Sequence, residues 1–284
     1  MESDQFKQEF EENGYVILRQ FIPNTIIKEV QSGVEFLVEE LAQDRFKKGL
    51  ISELFENEPF NNRFKKIYEN DKNAGPLQFT NELQKKEFFK LYSYPPLLNL
   101  IQSYLGDEVY LLMNVVRMRA FPNEKYRSMW HQDSAYLPVN SNTTDEELKD
   151  LRFINCWTPL IPVNKDNGCM EFIPGSHKFG LVKHIPMNPH GYLHIDPKII
   201  NPQLKSGKAI DIELDVGDIV FFNNLIFHQG QENNSGTLRW NADFRYRDAR
   251  QNTLEKDRGH YIISKQSQEK VISSGLDWAT KKWV

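Results

Sequence analysis

The sequence predicts a mainly β fold, an all-β core with helices packed outside it. Three observations carry that prediction. Residues before Gly106 are mostly helical in pattern, and the texture changes abruptly after it. Later stretches rich in β-branched and aromatic residues follow one another without intervening helical periodicity. Turn signals separate them, namely Asp166-Asn167-Gly168, Pro174-Gly175-Ser176, Val216-Gly217-Asp218 and Asn233-Asn234-Ser235-Gly236. Helices followed by a run of strands favour a double-sheet barrel or jelly roll.

Taken in order, Asp4 to Glu12 reads as a short helix stopped at Asn13-Gly14, where a left-handed residue is expected. Tyr15 to Leu18 reads as a strand. From Asn24, Ile27, Val30, Val34, Leu37 and Leu41 recur at helical spacing and predict a long amphipathic helix. The stretch from Phe46 to Gly75 is charged and holds Pro59, so short helices with loops are expected there. Thr80 to Leu91 and Pro96 to Leu105 predict two more helices, the second opened by a proline pair and closed by Gly106. Strands are expected over Val109–Phe121, Phe153–Pro162, Met170–Pro174, Ala209–Leu214, Ile219–His228 and Thr237–Tyr246. Lys178 to Lys208 is polar with little periodicity and reads as a lid-like loop carrying His184, His190 and His194 as exposed residues.

With 284 residues the chain can bury a full core, and it reads as one domain: a helical flank with the first strand (1–107), a jelly-roll core (108–250) and a C-terminal extension (251–284). A net charge of −4 without a long basic run argues against a nucleic-acid groove. The two cysteines, Cys156 and Cys169, lie in strand-like apolar sequence and read as buried free thiols. The first residues lack the build of a signal peptide, no apolar stretch reaches membrane-spanning length, and the final Lys-Trp-Val is not the peroxisomal tripeptide. A cytoplasmic protein acting on a small molecule, without membrane or nucleic-acid partners, is expected.

The candidate chemistry centres on Trp130-His131-Gln132-Asp133. On a strand, His131 and Asp133 would point the same way and grip one ion side by side. His228 would complete two histidines and a carboxylate, the set that leaves about three open positions on an octahedral iron(II). A hairpin turning at Asn233-Asn234 would place Arg239 opposite His228, on the same face. An arginine there suits a carboxylate, which its planar fork binds through two parallel hydrogen bonds.

The wider pattern resembles the phytanoyl-CoA dioxygenase family of iron(II)- and 2-oxoglutarate-dependent oxygenases. The matching blocks stand in the family's order: Asn13-Gly14-Tyr15-Val16, Trp130 to Tyr136, Trp157, Asp166 to Met170, Ile173 to Lys178, and Gly217 to Phe222 leading to His228, with Arg239 eleven residues later. The resemblance implies a double-stranded β-helix core of cupin type. It implies His131, Asp133 and His228 as iron ligands, Arg239 as the clamp on the distal carboxylate of 2-oxoglutarate, and dioxygen as the other cosubstrate. Trp157 matches a position lining the cosubstrate pocket, and a core tryptophan is the alternative. His177 is expected to hold a turn. The implied activity couples release of succinate and carbon dioxide to hydroxylation of an unactivated C–H bond, with desaturation or cyclisation at the same iron as the alternative. Halogenating relatives carry a small residue where this chain has Asp133, so halogenation is disfavoured. A silent binding module has no reason to keep all three ligands.

Substrate contacts are expected from Trp130, Tyr136 and Arg119, which flank the metal segment. Arg239, Asn241, Asp243 and Arg245 share one strand face at period two. If that face turns inward, Asn241 reaches the cavity and a polar substrate is implied; the far end at Arg245 is expected to be solvated.

Overall fold

The computed structural model describes residues 2–71, 73, 78–79, 85–112, 115–119, 129–137, 144, 146–147, 150–186, 192–251 and 260–280, with 78–79 and 115–119 as backbone. In chain order the elements are α1 (Ser3–Asn13), β1 (Tyr15–Leu18), α2 (Asn24–Lys47), α3 (Phe60–Asn70), β2 (Gln78–Phe79), α4 (Lys86–Tyr92) and α5 (Pro95–Leu105). There follow β3 (Glu108–Leu111), β4 (Val115–Arg119), β5 (Phe153–Pro159), β6 (Met170–Ile173), β7 (His184–Pro186), β8 (Leu193–Ile195) and α6 (Pro197–Lys205). The chain continues with β9 (Ile210–Ile212), β10 (Ile219–Asn223), β11 (Phe227–Gly230), β12 (Arg239–Asp248), β13 (His260–Ser264) and α7 (Gly275–Thr280). The start of the helix predicted from Thr80, the end of the strand predicted to Phe121, and His190 lie outside the described residues.

Local chemistry sets the early elements. Gly14 takes φ +80 and its N–H reaches the Phe10 carbonyl, closing α1 as its place after Asn13 predicts. Proline opens α5, where its missing N–H costs nothing. The apolar stripe of α2 buries Ile27, Val30, Val34 and Leu37.

Apart from the separate β7–β8 pair, the described strands form two antiparallel sheets. The larger runs β1-β10-β5-β12-β3-β13, with β4 also on β12 and β2 on β4. The length of β12 permits this branching: its first half pairs with β4, its last residues with β3, and its other edge with β5. The smaller sheet is β11-β6-β9. Trp157, Val220 and Phe222 from the larger sheet share one apolar cluster with Met170, Phe172 and Ile212 from the smaller. That cluster fills the space between them, as in a jelly roll. The outer face of the larger sheet carries the main core, where Phe221, Trp240 and Phe244 meet Phe6, Val34, Phe64 and Tyr92 from the helices. Trp278 of α7 joins it against Tyr92.

Two expectations are corrected here. Ile219–His228 is not one strand: Asn223 bends the chain by accepting the Leu225 N–H on its side chain and the Ile226 N–H on its carbonyl. The chain thereby crosses from the larger sheet to the smaller, a change that an unbroken apolar run does not signal. The segment predicted as a loop over 178–208 instead holds the β7–β8 hairpin and α6, which Asp196 caps by accepting the Lys198 N–H.

Candidate metal centre

His131 and His228 meet as a hydrogen-bonded antiparallel pair. Each backbone N–H donates to the other's carbonyl, at 2.9 and 3.1 Å. Directly opposed residues share a face, and the two imidazole centroids stand 4.1 Å apart. His131 thus extends the smaller sheet by a single bridge. Asp133 is not on a strand with it, because the chain turns at once into a 3-10 turn over Asp133–Tyr136. That turn carries the carboxylate over the histidines: its Oδ1 lies 3.6 Å from His131 Nε2 and 3.7 Å from His228 Nε2. One ligand atom from each residue falls within 4.8 Å of the others.

Each imidazole is oriented by its backbone. The Nδ1 of His131 donates to the Met129 carbonyl at 2.6 Å, and that of His228 to the Ile226 carbonyl at 3.0 Å. Both Nε2 lone pairs are therefore left to the centre, the arrangement that fixes a metal-binding tautomer. Burial and the neighbouring His131 push the His228 imidazole down to about 3 against the pull of Asp133, so it is neutral and ready to ligate. Burial opposes charge on Asp133, yet the Arg245 guanidinium leads the influences that outweigh it and hold the carboxyl well below its usual range. Two imidazoles and a carboxylate are the donor set of non-haem iron(II) centres, and the site fits that ion.

The segments around the centre are tied to one another. Gln132 is fully buried; its Nε2 donates to the Gly180 and Leu225 carbonyls and its Oε1 accepts the Val182 N–H. Ser176 Oγ accepts the Phe227 N–H, Gly175 donates to the Asn13 carbonyl, and His177 Nε2 donates to the Glu11 carbonyl. His177 thus holds the turn as expected, and it stands where a Cβ on Gly14 would fall 2.4 Å from its Nδ1. The Asn-Gly and Pro-Gly-Ser-His blocks are two halves of one brace that ends beside His228.

The hairpin register predicted for Asn233-Asn234 is wrong. His228 pairs with Phe172 on β6, whereas Arg239 pairs with Arg119 on β4, because β11 and β12 belong to different sheets. Arg239 is nevertheless buried, with its guanidinium 5.5 Å from the centroid of the Trp157 ring. Its Nη1 donates to the Gly168 carbonyl and its Nη2 to Asn241 Oδ1 at 3.2 Å. Trp157 is accordingly both a core residue of the intersheet cluster and the floor under Arg239.

The remaining candidates divide. Trp130 packs with Ile173, Ile195, Ile200 and Phe227, on the side of the smaller sheet opposite His228, so it is no cavity residue. Tyr136 sets its ring 5.6 Å from that of His131, while its hydroxyl accepts the Leu193 N–H at 2.7 Å; it latches the β7–β8 hairpin. Arg119 is placed by its backbone opposite Arg239. The expectation of exposed lid histidines is also corrected. His184 accepts the Gln132 N–H at 3.1 Å and His194 donates to the Trp130 carbonyl at 3.1 Å, so both are half-buried straps on the metal segment.

Nor is Arg245 solvated. It is 8% exposed, and its Nη2 lies 3.4 Å from Asp133 Oδ2. Its place in the period-two polar row was the available signal; Gln132 gave none beyond standing between two ligands.

The family profile of phytanoyl-CoA dioxygenase (PhyH) matches residues 10–240. Bovine (Bos taurus) peroxisomal phytanoyl-CoA dioxygenase is 24% identical over 204 residues, 70% of this chain and 56% of that one. The human (Homo sapiens) enzyme is 22% identical, over 81% and 64% of the two chains. The chain therefore spans under two thirds of the length of these curated relatives. Among solved structures, the non-heme monooxygenase ThoJ superposes with a TM-score of 0.60 at 17% identity, covering 95% of this chain and 87% of that one. The alpha ketoglutarate dependent carbocyclase SnoK, from nogalamycin biosynthesis, does so with 0.59 at 17%, covering 97% and 92%. These two establish the jelly-roll fold. The profile match begins in α1, runs through both histidines and Asp133, and reaches Arg239 at its far edge, so this chain belongs to the phytanoyl-CoA dioxygenase family.

Proposed function

We propose that the protein is an iron(II)- and 2-oxoglutarate-dependent dioxygenase that hydroxylates a C–H bond of a small molecule. The convergence of His131, Asp133 and His228 on one point carries this reading. These three residues would hold the iron. Iron with bound 2-oxoglutarate and dioxygen supplies the oxidising power, and the cosubstrate leaves as succinate and carbon dioxide.

The chain's own part is orientation and exclusion of water. The Met129 and Ile226 carbonyls hold the Nδ1 side of each ring and so turn both Nε2 atoms toward the centre. Arg239, packed over Trp157 and steadied by Asn241, is the clamp for the distal carboxylate of the cosubstrate. The fit is chemical: a guanidinium offers a carboxylate two parallel donors. Tyr136 and the β7–β8 hairpin cover the ligand segment and shield it from solvent. The inward polar face of β12 supports a substrate with a polar or charged group near the reacting carbon. The 284 residues read as one oxygenase domain, because a single core cluster draws on α1, α2, β12 and α7.

The test is succinate formation from 2-oxoglutarate that requires added iron(II) and is lost in His131→Ala. Succinate at wild-type rate in that variant overturns the ligand assignment. Product mass tests the outcome: hydroxylation adds one oxygen, and a product lighter by two hydrogens would mean desaturation or ring closure instead.

A further inference from the structure

We propose that Arg245 is the positioning residue of this centre: it holds Oδ2 of Asp133 and so presents only Oδ1 to a metal ion. The inference rests on the reading of Asp133 as a ligand. A carboxylate on a 3-10 turn has no cross-strand neighbour to set its plane, and its terminal torsion is broad and two-fold. Left to itself it could turn either oxygen, or both, toward an ion. Here the two oxygens are divided: Oδ1 faces both imidazoles at 3.6 and 3.7 Å, while Oδ2 faces Arg245 Nη2 at 3.4 Å.

Arg245 is built into place independently of Asp133. It sits directly opposite Asn155 in the β12–β5 register, and its Nε donates to Asn155 Oδ1 at 2.9 Å. Its Nη2 also lies 3.5 Å from Asp243 Oδ2, two residues back on the same strand face. Asn155 is fully buried and Asp243 nearly so. The guanidinium is thus fixed by the sheet, and the sheet dictates the plane of a ligand carried on a separate turn. Only a planar fork can meet Asn155 through Nε and the carboxylates through Nη together; a lysine reaches one of them. The functional consequence is coordination number. With Oδ2 engaged, Asp133 cannot chelate through both oxygens, and the positions that small molecules need stay open.

Cobalt(II) titration of the metal-free protein tests this, because the ligand-field absorption of bound cobalt reports coordination number without turnover. Arg245→Gln is expected to weaken cobalt binding roughly 10–100-fold, the usual cost of removing a residue that supports a ligand. It is also expected to change the spectrum per bound ion as the freed oxygen joins. Arg245→Lys keeps the charge between Asp133 and Asp243, and with it the fold, yet should still show an altered spectrum. A defect confined to folding would lower the bound fraction and leave the spectrum per ion unchanged, and that result overturns the proposal. Wild-type affinity and spectrum in either variant overturn it too, leaving the three-ligand reading intact. A wild-type protein that binds no cobalt overturns that reading and this one together.

Discussion

The two faces of β12 are both buried and have nothing else in common. Outward, Trp240, Ala242, Phe244 and Tyr246 close the main core against the helices. Inward, Arg239, Asn241, Asp243, Arg245 and Arg247 line the space between the sheets, none more than 8% exposed. The outer face lowers the free energy of the fold by removing apolar area from water. The inner face does the reverse unless each polar group finds a partner. Among the described residues it is incompletely satisfied within the chain: Asn241 Nδ2, Arg245 Nη1 and, opposite Arg245 on β5, Asn155 Nδ2 have no hydrogen-bond partner. A strand that sacrifices stability on one side marks that side as the candidate for function, and burial alone does not tell the sides apart.

The largest effect is expected on the outer face. Phe244→Ala should cost about 3–5 kcal/mol of stability, read by denaturant unfolding, while molecules that remain folded bind iron(II) as before. Next comes the centre: His228→Ala should weaken iron(II) binding by more than the roughly 100-fold that loss of a supporting residue costs. The upward shift in melting temperature that iron gives the wild type should then vanish.

On the inner face, Arg239→Met should raise the dissociation constant for 2-oxoglutarate by about tenfold to a hundredfold, the worth of hydrogen bonds to a charged group. Iron binding should stay intact in that variant. An equal loss of iron would mean that the inner face acts as one structural block.

Asp218 supplies the control, a buried acid that serves the fold alone. It accepts the Gln20 and Asp215 N–H groups and pairs with Arg19. Burial opposes its charge, but those donors prevail and hold its carboxyl below the ordinary value. A carboxyl lowered in the folded state stabilises the fold above the unfolded value, and that contribution is lost as pH falls through the folded value. Asp218→Asn should therefore cost about 1–2 kcal/mol at neutral pH, and the gap to wild type should close on acidification below about pH 4. Cosubstrate binding should not change. The smallest effect is expected for Tyr136→Phe, about 1 kcal/mol or less, visible as faster hydrogen exchange at Leu193 to Ile195 with the triad still metal-competent.

Much of this was legible in the residues themselves. Helical spacing located α2, Asn13-Gly14 ended α1, and Tyr15 to Leu18 is a strand with the bounds expected. The His131, Asp133 and His228 set was readable because ligand chemistry restricts residue types, and the period-two row of polar residues on β12 was visible as a row. These signals are local: a torsion preference, a repeat along one element, a donor set.

What the sequence could not decide by itself is where each row points and what it meets. Period two puts Arg239 and Arg245 on one face but does not say which face is inside; the helices covering the other side decide that. The turn at Asn233-Asn234 suggested a hairpin, yet Asn223 had already carried β11 into the other sheet, so Arg239 lies on the sheet opposite the one that carries His228. Arg245 meets Asp133 over 112 residues of chain. Such a contact costs loop-closure entropy whatever the local sequence, and only the closed pair of sheets, held by the apolar cluster between them, offsets it. The sequence alone determined the candidate ligand set and the polar row; tertiary structure decided the elements that carry the ligands, the face, the register and which arginine meets the carboxylate.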